Sequence, residues 1–197
     1  HLYFITKIKG GKRVKATGVV RRIDDLGRVV IPKEIRKTLR IKEGDPLEIF
    51  TDKEGEVILK KYSPIGELSE FATEYAETLA KTTGHIACIT DKDTVIAVSG
   101  GAKKEYLEQS ISDELEKILE DKENYTSKEN NDLAVPITKN DNKERRFNSQ
   151  VVYPIISDGD VIGSVILLSK EAGTKMTEVE QKVVQSAASF LGKQMEI

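Results

Sequence analysis

Basic side chains near the start of the chain are the residues best suited to bind another molecule. Eight lysines and arginines lie from Lys15 to Arg40, against three acidic residues. A guanidinium group is planar and rigid, and it matches phosphate oxygens and the edge of guanine better than other acceptors. A solvated charged face is the ordinary explanation of a basic run. The four arginines at 21, 22, 28 and 36 nevertheless favour a nucleic-acid partner.

Short strands, turns and one helix are predicted to position this basic group. Runs rich in Val and Ile favour strands, and Gly permits the tight turns between them. Pro32 stands where a helix begins, because its missing N–H costs little there. The predicted elements are a strand at 17–23, a turn at 24–27, a strand at 28–31, a helix at 33–39 and a hairpin of strands 47–51 and 56–60.

The segment that carries these elements is too small to bury a sufficient core alone. Domains of about fifty residues usually need a disulfide, a metal or a partner chain. The segment has no cysteine, since the single cysteine of the chain is Cys88. Two copies that interleave their strands would complete the core. They would form a two-fold symmetric basic surface suited to a pseudo-palindromic DNA site.

The run DDLGRVVIP, from Asp24 to Pro32, is the most distinctive part of the longer stretch 14–62. This stretch resembles the DNA-binding domain of AbrB-type transition-state regulators. The resemblance implies a swapped-hairpin β-barrel in which two chains interlock their strands, and a role for the family's basic positions in contacting DNA. Those positions correspond here to Lys15, Arg21, Arg22, Arg28, Arg36 and Lys37.

Charge divides the chain into a basic front and an acidic rear. The formal net charge of the whole chain is −2. Residues 14–61 carry twelve basic and nine acidic side chains, whereas residues 63–197 carry fifteen basic and twenty-four acidic ones. The two parts are therefore expected to face different partners. DNA would repel the acidic part, which keeps the binding surface at one end.

Residues 1–13 are interpreted as an extension that derives from an upstream or vector-encoded sequence, with Val14 where the family's initiating residue would stand. The stretch is too short and too weakly apolar for a signal peptide. No apolar run approaches the ~20 residues that cross a bilayer, so no membrane association is expected. The single cysteine excludes an internal disulfide and fits a reducing cytosol.

Residues 63–83 are predicted to form a linking helix that begins at Ser63-Pro64. Apolar residues at alternating spacings of three and four give it one buried stripe, formed by Ile65, Leu68, Ala72, Tyr75 and Leu79, with Phe71 at the margin. The stripe either packs on its own domain or pairs with its copy in another chain. Both alternatives remain open.

Residues 84–197 alternate strands and helices. A hairpin is predicted from 86–90 and 95–99, helices at 105–109 and 113–119, a mobile polar loop at 122–131, and a second hairpin from 150–156 and 161–168. Thr177 and Glu180 form a capping-box pattern that opens a last helix. Its predicted buried face consists of Val179, Val183, Ala187, Phe190 and Leu191. The pattern predicts an α+β module that resembles a GAF domain, and a PAS domain fits the pattern nearly as well.

Candidate catalytic and ligand-binding groups are few in this module. Cys88 lies in a predicted strand and is interpreted as a small core residue, and His85 as a surface or capping residue. Gly100 and Gly101 follow a strand without the pattern of a phosphate loop. No catalytic residue, metal site or cofactor is predicted. The resemblance to GAF domains implies an unidentified small-molecule effector.

These observations predict a DNA-binding transcription regulator, an activator or a repressor, located in the cytoplasm on the nucleoid. Double-stranded promoter DNA is the expected partner. The chain is expected to form a homodimer through 14–62 and a homotetramer through its GAF-like domain. A sporulation role follows from the family resemblance alone. Two alternatives are an antitoxin of a toxin–antitoxin pair and a small-molecule sensor whose front domain serves assembly.

Overall fold

The computed structural model describes residues 2–6, 13–16, 19–51, 53, 55–127, 134–141, 147–171 and 173–196, with the backbone alone for the first two ranges. The chain divides into two compact units, His1–Tyr62 and Ser63–Ile197. We call them the N-terminal unit and the C-terminal unit. The stretch predicted as a linking helix lies within the C-terminal unit.

The N-terminal unit contains a four-stranded sheet. Its strands are β1 (Leu2–Thr6), β2 (Arg13–Ala16), β3 (Leu47–Thr51) and β4 (Val57–Lys61), in the order β2-β1-β4-β3. β1 runs antiparallel to β2 and parallel to β4. Residues 1–13, expected to be an extension, thus supply one strand of the sheet and begin another. The open edge of a strand such as β4 accepts an extended segment through its backbone groups.

The predicted hairpin is observed with one correction in its second strand. β3 has the predicted bounds, and β4 begins and ends one residue later than predicted. The pairing runs from Leu47 opposite Lys61 to Thr51 opposite Val57. Gly55 adopts φ of +82° in the connection between β3 and β4. Glu56 also belongs to this connection, so β4 begins at Val57.

The two predicted strands at 17–23 and 28–31 are not strands in the single chain. The described residues 19–23 and 28–31 join neither sheet, and residues 17 and 18 lie outside the described part. Val and Ile content favours a strand, but a strand forms only against a neighbour that satisfies its N–H and C=O groups. The predicted helix is confirmed as α1 (Lys33–Leu39).

The C-terminal unit is built on one antiparallel sheet of five strands. These are β5 (Ile86–Asp91), β6 (Val95–Ser99), β7 (Tyr125–Thr126), β8 (Ser149–Ser157) and β9 (Asp160–Ser169), in the order β6-β5-β9-β8-β7. Both predicted hairpins are confirmed, each with slightly longer strands. Of the loop predicted at 122–131, residues 122–127 contain β7, and residues 128–131 lie outside the described part.

Helices cover both faces of this sheet. On one face lie α2 (Pro64–Glu67), α3 (Ser69–Thr83) and α6 (Glu178–Gln194), whose buried side chains include Ile65, Ala72 and Leu191. The other face is covered by α4 (Lys103–Tyr106), α5 (Asp113–Glu120) and residues 134–141. Side chains alternate between the two cores along β5, as strand geometry requires.

Three helix predictions need correction. Residues 63–83 form two helices that meet at Leu68 rather than one. The helix predicted at 105–109 is α4, which ends at Tyr106 because Glu108 adopts φ of +63° and donates to the carbonyl of Val95. The third correction concerns the buried face of α6.

The buried face of α6 differs from the predicted one at two of its five positions, since Ala187 and Leu191 are buried and Val183 packs on the core as predicted. Val179 and Phe190 are 67% and 42% exposed, while Val184 and Ala188 are buried. The helix lies so close to β8 that a Cβ on Gly192 would stand 2.1 Å from the carbonyl oxygen of Ile156. A side chain at position 192 would therefore clash with β8. Within the described residues, no helix is long and apolar enough to span a membrane.

Candidate nucleic-acid interface

The turn that follows the first arginine pair is closed by backbone hydrogen bonds. The N–H of Asp24 donates to the carbonyl of Arg28 at 3.0 Å, and the N–H of Gly27 donates to the carbonyl of Asp24 at 2.9 Å. Gly27 adopts φ of +75°, a conformation that side chains disfavour. The turn was predicted at this place, and its closure fixes Arg28 opposite Asp24.

The carboxylate of Asp24 binds both the backbone and the side chain of Arg28. Oδ1 accepts the N–H groups of Leu26 at 3.1 Å and Arg28 at 2.7 Å, and Oδ2 accepts Nε of Arg28 at 2.9 Å. The hydrogen bond from the Arg28 backbone, helped by the bonds from its side chain and from Leu26, lowers the pKa of Asp24 below its ordinary value. Asp24 is thus a charged acceptor at neutral pH.

Helix α1 carries the next two predicted contact residues, Arg36 and Lys37, both exposed. The helix begins after Pro32 and ends at Leu39, and the next residue, Arg40, adopts φ of +53°. Its end is fixed to the hairpin, because Nζ of Lys61 donates to the carbonyl of Arg40 at 3.0 Å. The sheet of the N-terminal unit therefore holds α1 in place.

Lys61 is held in turn by Asp45, whose Oδ2 lies 3.4 Å from its Nζ. The same carboxylate oxygen accepts the N–H of Lys42 at 2.9 Å. Asp45 thereby joins the segment after α1 to β4. These contacts stabilise the position of the basic helix relative to the sheet.

The remaining predicted contact residues lie before the turn. Arg21 and Arg22 are exposed, in a segment without regular secondary structure. Lys15 lies in β2 opposite Phe4, and the structure describes only its backbone. Among the described basic side chains predicted to contact DNA, Arg28 is the one with an acidic partner. The others face solvent.

Large apolar side chains are exposed in the same segments. Val20 is 86% exposed, and Ile23 and Val30 are each 69% exposed. Leu26 at the turn is 71% exposed. A folded chain rarely exposes so many neighbouring aliphatic side chains unless another molecule covers them.

Sequence reasoning missed three residues that organise this surface, namely Asp24, Asp45 and Lys61. A signal for Asp24 was present, since an Asp at the start of a turn readily accepts N–H groups two to four residues later. Asp45 and Lys61 are sixteen positions apart, so only the strand register brings them together.

The C-terminal unit carries a second group of polar residues next to its sheet. Burial raises the pKa of Cys88 to about 12, with a smaller effect from the charge of Asp141. The burial of Cys88 confirms that it is a core residue. His85 is half-buried, and its Nε2 lies 4.0 Å from Oε1 of Glu180. Within the described residues, no cluster of His, Cys, Asp and Glu has the make-up of a metal site.

Comparison with protein families assigns both units. Residues 67–196 match the family described as "Stage V sporulation protein T C-terminal, transcription factor". Residues 20–67 match the family "Antidote-toxin recognition MazE, bacterial antitoxin". The first match covers more than half of the chain.

Individual relatives agree with this division. The chain is 54% identical to stage V sporulation protein T of Bacillus subtilis, over 93% of this chain and 99% of the relative. It is 61% identical to the transition state regulatory protein AbrB of the same organism, over 26% of this chain and 52% of the relative. The GAF domain of PixJ from Thermosynechococcus elongatus resembles the structure with a TM-score of 0.53 at 13% identity, over 69% of this chain and 89% of the other. This likeness shows the fold alone.

The AbrB-like unit carries an exposed turn and helix with arginines, and it precedes a GAF-like α+β unit. The matches extend over nearly the whole chain. The chain belongs to the stage V sporulation protein T family of DNA-binding transcription regulators.

Proposed function

We propose that the N-terminal unit reads double-stranded promoter DNA through Arg28 and grips the phosphate backbone with Lys15, Arg21, Arg22, Arg36 and Lys37. The observation that carries this proposal is Arg28 at the closing end of the turn, opposite Asp24, with its side chain 69% exposed and held through Nε. Arg21, Arg22, Arg36 and Lys37 are exposed and lack acidic partners among the described residues. Phosphate contacts would supply affinity, and a base contact would supply sequence selectivity.

Two copies of the N-terminal unit would form one binding surface. The exposed Val20, Ile23 and Val30 lie in the segments whose composition favours strands. Interleaving these segments with those of a second chain would pair their backbone groups and bury their aliphatic side chains. A dimer of this kind presents two copies of Arg28 to a pseudo-palindromic site.

The C-terminal unit offers a second surface for self-association. Phe71, Tyr75 and Phe190 form an aromatic cluster on α3 and α6, with ring centroids 5.9 to 6.2 Å apart. Phe71 and Phe190 are 36% and 42% exposed. Pairing of these helices with their copies in another dimer would bury the cluster. It would also join two DNA-binding dimers into a tetramer.

The GAF-like fold supports a further role in sensing a small molecule. Ligand binding to this unit would alter how strongly the tetramer holds two DNA sites. Thermal shift measurements of the whole protein against a panel of metabolites test this part, because a ligand of the folded state raises the melting temperature. The chain would act without catalysis, on the nucleoid in the cytoplasm, as an activator or a repressor.

The alternatives have less support. The match to the antitoxin family ends at residue 67, and residues 67–196 match a transcription-factor family instead. A sensor whose N-terminal unit serves assembly alone gives no reason for six exposed basic residues around one turn and one helix.

The experiment that tests DNA binding is an anisotropy titration with duplexes selected from fragmented genomic DNA, repeated across salt concentrations. The logarithm of the affinity should fall with the logarithm of salt by about 0.9 per phosphate contacted. Replacing Arg36 and Lys37 by Ala should reduce this slope by roughly two contacts for each chain of the dimer. Lys193→Ala, an exposed lysine of the C-terminal unit, is the control. A salt-independent affinity, or an unchanged slope in the double variant, would remove α1 from the interface.

A further inference from the structure

Asp24 and Arg28 are in direct contact at the turn of the proposed DNA surface. We propose that Asp24 is a positioning residue, whose carboxylate orients the Arg28 guanidinium so that its two Nη groups face a guanine in the major groove. The inference rests on the proposed DNA surface and names the residue that makes it selective. An acidic residue at the centre of a DNA-binding face would otherwise only weaken binding.

The two carboxylate oxygens of Asp24 accept hydrogen bonds from different groups. Oδ1 holds the backbone by accepting the N–H groups of Leu26 and Arg28, at 3.1 and 2.7 Å. Oδ2 holds the side chain by accepting Nε of Arg28 at 2.9 Å. One carboxylate therefore fixes the turn and the direction of the side chain that leaves it. The long arginine side chain then loses less conformational freedom when it binds.

The hydrogen bond at Nε determines which edge of the Arg28 guanidinium remains available to bind a base. A guanidinium binds two acceptors either through Nε and one Nη or through both Nη groups. With Nε bound to Asp24, the end-on pair of Nη groups remains, and among the described residues neither Nη has a partner. This pair matches O6 and N7 of guanine, the commonest specific contact of arginine in the major groove.

Removing the charge of Asp24 should affect DNA affinity differently under the two possible roles of this residue, which makes the inference testable. Asp24→Asn removes one negative charge from the DNA-facing side, so any DNA should bind more tightly if Asp24 only contributes charge. If Asp24 positions Arg28, the affinity for the selected site should fall relative to a scrambled duplex, because an unrestrained guanidinium binds phosphate as readily as guanine. A role in charge alone therefore leaves the ratio of specific to non-specific affinity unchanged, whereas a positioning role lowers it.

The experiment measures this ratio by anisotropy for the full-length protein and several variants. Asp24→Asn should lower the ratio on the order of 10-fold, the size of one good bidentate base contact, while its affinity for the scrambled duplex stays equal or rises. Asp25→Asn is the matched control, since Asp25 is an exposed neighbour with the same charge and does not contact Arg28. It should leave the ratio unchanged.

A double-variant comparison separates positioning from a general effect on folding. In an Arg28→Lys background the charge is kept and the guanidinium is absent, so Asp24→Asn should no longer change the ratio. Equal loss of ratio in both backgrounds would show that Asp24 acts only on the turn and would overturn the inference. A ratio that Asp24→Asn leaves intact in the wild-type background would overturn it as well.

Base substitution in the duplex identifies the contacted group. Replacing one guanine of the selected site by 7-deazaguanine removes N7, and the wild-type protein should lose affinity at one position in each half-site. Asp24→Asn protein should be insensitive to that replacement. The wild-type protein could instead tolerate 7-deazaguanine at every position while Arg28→Ala still weakens binding. Arg28 would then contact phosphate, and the positioning inference would be wrong while the proposed DNA surface would stand. If Arg28→Ala changes nothing, the proposed DNA surface fails with it.

Discussion

The hydroxyl group of Tyr106 donates a hydrogen bond to Oδ1 of Asp141 at 2.7 Å, which joins the end of α4 to the segment 134–141. Oδ2 of Asp141 accepts the N–H groups of Ile137 at 2.7 Å and Thr138 at 3.1 Å. Tyr106 is 1% exposed. The hydrogen bonds of Asp141 therefore hold the segment 134–141 in place over one face of the C-terminal sheet.

Tyr106→Phe should destabilise the C-terminal unit. The change removes one donor and leaves Oδ1 of Asp141 without its partner, which costs about 1–3 kcal/mol of the free energy of unfolding. Urea unfolding monitored by circular dichroism measures the change. Tyr153→Phe is the control, because Tyr153 is half-buried against the opposite core and its hydroxyl has no hydrogen-bond partner among the described residues. Equal losses in both variants would show that the Tyr106 bond adds nothing.

Alkaline pH should destabilise the same unit. Burial, followed by the hydrogen bond to Asp141, raises the pKa of Tyr106 above its ordinary value. A group whose pKa is raised in the folded state stabilises that state below its unfolded pKa, and this stability is lost as pH rises. For tyrosine the loss should begin near pH ~10. Melting temperatures from pH 8 to 11 should fall less steeply for Tyr106→Phe than for the wild-type protein.

Cys88 should be unreactive in the folded protein. Its pKa of about 12 and its burial leave almost no thiolate at pH 8 and no access for a reagent. A thiol reagent such as DTNB should label it only after unfolding, at a rate set by urea concentration. Rapid labelling in the absence of denaturant would place Cys88 outside the core.

The start of α6 should depend on the charge of Glu180. Burial raises the pKa of this carboxyl, but hydrogen bonds from Thr177 and the nearby His85 outweigh it, so the net pKa is lowered. A lowered pKa gives stability that is present above the unfolded value near 4.5 and is lost as pH falls through the folded value.

Glu180→Gln should therefore reduce stability at pH 7 by about 0.3–1 kcal/mol, and the difference from the wild-type protein should shrink as pH falls below the unfolded pKa. Glu178→Gln, an exposed residue in the same first turn, should show a smaller effect. Unfolding curves at pH 7 and pH 3 measure both variants. A loss for Glu180→Gln that is as large at pH 3 as at pH 7 would contradict the assigned role of its charge.

Phe190→Glu should dissociate the proposed tetramer into dimers. The side chain is 42% exposed within the single chain, so the charge is tolerated by the fold but not in a buried interface. Light scattering of the eluted protein gives the mass directly. Gln185→Glu introduces the same charge at another exposed position of α6 and should leave the mass unchanged. A tetrameric mass for Phe190→Glu would exclude this helix face.

The sequence predicts most accurately where local chemistry determines the structure. The capping box of Thr177 and Glu180, the helix after Pro32 and both hairpins of the C-terminal unit were all predicted correctly. Each depends on residues a few positions apart, so composition and spacing contain the information. The antiparallel sheet and the GAF-like class follow from these elements.

The errors arise where a partner surface decides the outcome. Val20 and Val30 have the composition of a strand but lack a strand beside them in one chain. For α6, the apolar residues are compatible with two adjacent faces, and Gly192 lies against Ile156 on the face that is buried. That contact depends on the packing of a helix on a sheet, which periodicity does not report. The role of Asp24 was missed for a related reason, since its interactions depend on the closed turn.

The measurement that tests the central claim most directly compares wild-type protein with Arg21→Ala/Arg28→Ala protein on a selected promoter duplex and on a scrambled duplex. A Lys92→Ala/Lys193→Ala variant, which removes two exposed lysines of the C-terminal unit, is the control for charge. The account predicts that the arginine variant loses at least about 1–3 kcal/mol of specific binding and nearly all preference for the promoter, while the control keeps that preference. Promoter binding that is equally tight and equally selective in the arginine variant would contradict it.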